Sequence, residues 1–184
     1  NAVQAKLKHA TIVADRFHYT RIVSNALDEL RLAIWRNAKG NEKKYFKNIK
    51  LSLLKDIEKV KPEDLMKFEE KLNYSFEISG ELKYGYELYQ SFLKIKNGDS
   101  YEEKAKLFKD WLSDASSSTL KTFASAAETL PKWNKEILNS FKTSYTNSAT
   151  EGKNNKIKSI KRIGFGYRKL TTLRNLIMLK DCKV

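Results

Sequence analysis

Residues 11–37 read Thr11-Ile12-Val13-Ala14-Asp15-Arg16-Phe17-His18-Tyr19-Thr20-Arg21-Ile22-Val23-Ser24-Asn25-Ala26-Leu27-Asp28-Glu29-Leu30-Arg31-Leu32-Ala33-Ile34-Trp35-Arg36-Asn37. Thr11 to Ala14 is short, partly β-branched and stops at a charge, which predicts a strand. From about Phe17 to Asn37 the period changes. Val23, Leu27, Leu30 and Ile34 recur at helical spacing and form one apolar stripe. Asp15 stands at the junction, where two readings are open. Asp is a common helix N-cap, and strand ends are also where a rigid scaffold presents reactive groups. A single strand makes no sheet, so this one is either unpaired or pairs with strands outside the chain.

The rest of the sequence extends the helical reading. Seven glycines and two prolines leave few breaks. A helical piece is expected over about Glu42 to Val60. Lys61-Pro62-Glu63-Asp64 marks a new start, with Pro near the first position and acids in the first turn, for a helix reaching about Leu72. Ile78, Leu82, Tyr86, Tyr89 and Leu93 stripe the next, closed by Asn97-Gly98. Asp99 or Ser100 can cap its successor, and Ser116 to Ser118 reads as a loop. Leu120, Phe123, Ala127 and Leu130 begin another helix, which Pro131 should kink or restart. A last long helix is expected from about Ala149 to Ile163, interrupted by Gly164 and Gly166, with a final helix over about Leu170 to Lys180. The fold class expected is mainly α.

Of the 184 residues, 41% are hydrophobic and 32% charged, a balance that suits a folded soluble domain. No stretch is long and apolar enough for a membrane span. The lone Cys182 excludes an internal disulfide and a cysteine zinc site, and His9 and His18 are too few for a histidine-based one. The net charge of +14 points to a polyanionic partner. It is unevenly placed: Lys153 to Val184 carries ten Lys or Arg against one acid, Asp181.

No phosphate loop, nucleophile elbow or zinc-protease helix is present. Glu151, however, opens the last basic helix, where Glu151, Asn154, Asn155, Lys158 and Arg162 share one face and Ile157, Ile160 and Ile163 the other. An acid leading into a basic ridge suits metal-assisted chemistry on a phosphodiester. A solvated face with a favourably placed first-turn acid would look the same.

Two blocks carry a family resemblance. Ile12-Val13-Ala14-Asp15-Arg16-Phe17-His18-Tyr19 resembles the second-Asp motif of ISL-type insertion-sequence transposases. Thr150-Glu151-Gly152-Lys153-Asn154-Asn155-Lys156-Ile157-Lys158-Ser159-Ile160-Lys161-Arg162, followed by Gly164-Phe165-Gly166-Tyr167-Arg168, resembles that family's C-terminal block. Glu151 with Lys158 also resembles a Glu-x6-Lys spacing of related transposases. The resemblance implies a partial ribonuclease-H-like core, one short strand plus helices, with a large all-helical insertion. Residues 1–40 would be the second-Asp part of the core, 41–140 the insertion, and 141–184 the Glu-bearing basic segment. Asp15 and Glu151 would be two members of an Asp-Asp-Glu triad that holds two Mg²⁺ ions, with Mn²⁺ as substitute. The first Asp would lie upstream of this chain, leaving the chain inactive alone. Lys153, Lys156, Lys158, Lys161, Arg162 and Arg168 would contact DNA. The implied activity is DNA cleavage and strand transfer at transposon ends and target, in a homodimer or larger synaptic complex in the bacterial cytoplasm, at the nucleoid. A non-enzymatic basic helical nucleic-acid-binding module is the alternative.

Overall fold

Asp15 opens the helix that organises the first of two compact units, Asn1–Ser144 and Tyr145–Val184. The computed structural model describes residues 6, 9–143, 147–167 and 169–181. Helix α1 (Arg16–Asn37) is capped by the Asp15 carboxylate, which accepts from Phe17 N. It buries Tyr19, Val23, Ala26, Leu27 and Leu30. The expected stripe is therefore a real face, except that Ile34 is only half-buried.

The chain then forms α2 (Gly40–Asn48), α3 (Lys50–Leu53), α4 (Pro62–Ile78), α5 (Gly80–Lys94), α6 (Tyr101–Ser117), α7 (Lys121–Thr129) and α8 (Asn134–Lys142). Helix α1 packs against α5 and α7, α4 against α5, and α6 against α7. Phe46, Phe108, Phe123, Leu27, Leu130 and Ile137 are fully buried in one core. An aromatic path joins three helices. Tyr19 of α1 meets Phe92 of α5 edge-on at 6.2 Å, and Phe92 meets Trp111 of α6 at 4.8 Å. The Trp111 indole donates to Leu88 O at 2.8 Å, so its buried N–H is satisfied.

Helices α1, α5 and α7 approach closely at Gly85. A Cβ there would lie 2.7 Å from Leu30 Cδ2 and 3.2 Å from Phe123 Cε2. Gly85→Ala is expected to destabilise the unit by about 1–2 kcal/mol through overpacking, despite alanine's better helix propensity. Urea denaturation would check this, and a stabilised variant would show that Leu30 swings aside freely.

Two aspartates hold three ion pairs in this unit. Asp28 accepts from Arg31 and Lys50, and Asp56 from Lys96. Burial pushes the Asp28 carboxyl up, but hydrogen bonds from Lys50 and Arg31 outweigh it and hold the group below its ordinary 3.8. Asp56 is likewise pushed up by burial and held low by Lys96 and by the Glu58 N–H. A carboxyl lowered on folding contributes stability above its unfolded pKa and loses it as pH falls through the folded value. The melting temperature is thus expected to fall as pH drops below about 4, and Asp28→Asn to show a lower plateau with a shallower acid decline. Melting curves across the acid range measure both.

The expected strand requires correction. Thr11 to Ala14 belongs to no strand among the described residues, because no second extended segment lies beside it. Its backbone bonds instead go to α8: Ala14 N donates to Glu136 O and Asn139 Nδ2 to Ile12 O, each at 2.9 Å. Three helix boundaries also differ. The expected piece over Glu42 to Val60 is two short helices and a 3₁₀ turn, Ile57–Lys59. Helix α4 runs on to Ile78 before Ser79 caps α5, and α6 continues through Ser117. Pro131 does restart the chain, within a 3₁₀ turn, Leu130–Trp133.

The second unit holds α9 (Ser148–Ile163) and α10 (Leu170–Asp181), which pack together. Phe165 at φ 47 and Gly166 at φ 102 turn the chain between them. The Tyr167 hydroxyl reaches back to donate to Ile160 O at 3.3 Å, with its ring over Gly164 where a Cβ would collide.

Candidate functional site

The first unit presents Asp15 at the start of α1. Three bonds fix the chain around it, since Tyr19 OH also shares a hydrogen bond with Ser140 Oγ at 3.2 Å. The half-buried Asp15 side chain accepts at Oδ1 from Phe17 N at 3.4 Å, a long contact. Cap geometry thus leaves the second oxygen for another ligand. His18, exposed and one turn along, brings a ring nitrogen within 4.8 Å of an Asp15 carboxylate oxygen. Sequence reasoning passed over His18 because it counted histidines. The signal was the three-residue spacing, which puts both side chains on one helix face.

Carboxylate oxygens suit Mg²⁺ or Mn²⁺, and an imidazole beside one favours Mn²⁺ over Mg²⁺. The donors in this unit therefore fit a divalent ion. An apolar cleft of about 380 Å³ adjoins them, lined by Ala14, Asp15, His18, Tyr19, Ile22, Leu130, Trp133 and Ile137.

The second unit presents Glu151 in the first turn of α9, with its N–H bonded to Asn147 O at 2.9 Å. Lys158 and Arg162 follow on the same face, two and three turns on, and both are exposed. Lys161 flanks that face and is exposed. Lys153, exposed, and Lys156, half-buried, leave the helix on other sides. Arg168 lies outside the described residues, as does Cys182. Lys161 and Arg162 fall in the last turn of α9, where cations also offset the helix dipole.

Among known families, the model described as Transposase, of the ISL type of DDE transposases, matches residues 1–177. The chain belongs to that family, whose members act on DNA and generally use a divalent metal. No curated protein and no solved structure matches it. No helix among the described residues is long and apolar enough to cross a membrane.

Proposed function

We propose that this chain is the C-terminal part of an insertion-sequence transposase that cuts and joins DNA by metal-dependent phosphoryl transfer. Asp15 and Glu151 are two of its three metal-holding carboxylates, and the third is an Asp on a preceding segment. The observation that carries this reading is that both motif acids lie inside the matched region, each at the start of a helix. The long Asp15 cap contact and the neighbouring His18 add donors of the right kind.

Residues 1–40 and 141–184 then contribute to a ribonuclease-H-like core. Residues 41–140 form an insertion that helps to hold DNA ends or a second protomer in a synaptic complex. Divalent ions, when bound, supply positive charge to the attacking and leaving oxygens. The protein's own groups do the rest. Asp15 and Glu151 hold the charge at the scissile phosphorus. Lys158 and Arg162 take the flanking phosphates, with Lys153, Lys156, Lys161 and Arg168 as further backbone contacts. Such contacts fix register but read little sequence. Water, or later a DNA 3′-hydroxyl, attacks phosphorus in line and gives its proton to solvent. The bond to the 3′-oxygen breaks, and that oxygen leaves with a proton from solvent.

The test is cleavage of a labelled element-end duplex by the full-length protein. Cutting with Mg²⁺ or Mn²⁺ and none in chelator is the expected result. Cutting in chelator would overturn the metal reading. Salt-dependent binding without any cutting would favour a non-enzymatic basic helical module, for which log affinity falls by about 0.9 per phosphate contact per decade of salt.

A further inference from the structure

The turn that joins α9 to α10 carries a backbone outlier that its own packing does not explain. Phe165 has φ 47, in the left-handed region, where a side chain with a Cβ is strained and glycine is not. Helices commonly end on a residue in this conformation, and that residue is usually glycine. Here glycines stand on both sides, Gly164 and Gly166, and the position between them holds a phenylalanine. The ring gives nothing back to the fold, since Phe165 is 100% exposed.

The turn around it is braced. Gly164 N donates to Ile160 O and Phe165 N to Arg162 O, each at 3.2 Å. The Tyr167 hydroxyl donates to the same Ile160 O, and its ring lies over Gly164. The phenyl is thus held out from a bonded backbone. Ile163, the last residue of α9, is 69% exposed, and Leu170, the first of α10, is 80% exposed, so the tip is apolar. Its shoulders are basic. Lys161 and Arg162 fall in the last turn of α9, Lys169 directly precedes α10, and all three are exposed. No Asp or Glu occurs between Glu151 and Asp181.

Charge selects the occupant. An apolar tip alone would suit a protein pocket, but a pocket for this one would need an acidic rim. Duplex DNA supplies both parts. Phosphates flank every base step, and a partly unstacked step accepts an apolar wedge, for which Phe is one of the side chains used. We propose that Phe165 is such a wedge, entering one base step and kinking the duplex while Lys161, Arg162 and Lys169 hold phosphates beside it. This rests on the reading of α9 as a contact to the DNA backbone and is independent of the metal site. The wedge shapes the DNA and takes no part in bond making.

The experiment measures energy transfer between dyes at the two ends of a short duplex, with this chain bound in chelator so that no cleavage intervenes. The wild type is expected to raise transfer, as a kink of roughly 20–90° brings the ends together. The rise should be larger for a central TA step than for an A-tract, which is stiffer. Phe165→Ala should change affinity by less than about twofold and keep the same salt slope, because the phosphate contacts remain. Its bound DNA should nevertheless show the transfer of free DNA. Phe165→Leu should keep most of the rise, since Leu also serves as a wedge. Phe165→Gly should lose the rise while its melting temperature does not fall, since glycine relieves the backbone. Binding without bending by the wild type, or bending that survives in Phe165→Ala, would overturn the wedge alone. A lower melting temperature for full-length Phe165→Ala would put the ring in a protein contact and overturn it as well. No binding even at low salt would overturn the wedge together with the α9 contacts on which it rests.

Discussion

Asp15→Asn in the full-length protein should abolish Mg²⁺-dependent cleavage of element ends, by about a thousandfold or more, while its melting curve stays close to wild type. The separation follows from the two duties that the proposed function gives Asp15. As an N-cap its Oδ1 accepts from Phe17 N, and Asn caps about as well as Asp, so the helix keeps its start. As a metal ligand it needs a full negative charge, which Asn lacks. Asp15→Ala removes both functions and should add a stability loss of about 1 kcal/mol. Glu151→Gln tests the other acid. Its cost to the fold is limited to the dipole interaction in the first turn of α9, about 0.3–1 kcal/mol at most, and its loss of cleavage should match that of Asp15→Asn. Gel assays on labelled duplex, paired with thermal melts, measure both. Normal cutting by a folded Asp15→Asn protein would reduce Asp15 to a cap.

Arg31→Ala is expected to cost about 3 kcal/mol, the largest loss from any single charge in the first unit. Arg31 is 6% exposed, and its guanidinium is committed on two sides. Nε donates to Asp28 Oδ1 at 2.7 Å, while Nη1 donates to Phe46 O at 2.8 Å. Phe46 O lies in the last turn of α2, where a carbonyl has no partner within its own helix. Truncation therefore leaves a buried carbonyl unpaired and Asp28 with Lys50 alone. Lysine at this position cannot span both acceptors, since the planar fork is what reaches them together. Urea denaturation of Arg31→Ala, Asp28→Ala and the double variant should give a favourable coupling of about 1 kcal/mol or more. Additive losses would mean that the bond to Phe46 O, not the ion pair, carries the effect.

The helices were legible where one face is apolar and the ends are marked. Val23, Leu27 and Leu30 are buried as their spacing requires, and Ser100 caps α6 by accepting from Glu103 N. Pro62 opens α4 as expected. Periodicity failed where it carries no information. Ser116 and Ser117 remain helical, and their hydroxyls turn back onto Ser113 O instead of ending the helix, an arrangement composition does not reveal. Thr11 to Ala14 has the composition of a strand, yet what decides its state is whether a partner segment lies beside it, and its partner here is α8. At the candidate site, Asp15 and Glu151 stood out by position at helix starts. His18 did not, because a lone histidine carries no signal until the helix brings its ring beside the acid three residues earlier.

The attachment of residues 12–14 to α8 has a consequence during synthesis. Asp15 leaves the ribosome before Glu136, Asn139 and Ser140, which hold the chain around it and are made more than a hundred residues later. A nascent chain that has reached only α5 already contains the acid but none of the three groups that fix the backbone around it. Premature termination before α8 would therefore yield a chain in which residues 12–14 and the Asp15 cap lack the three bonds that hold them in the finished fold.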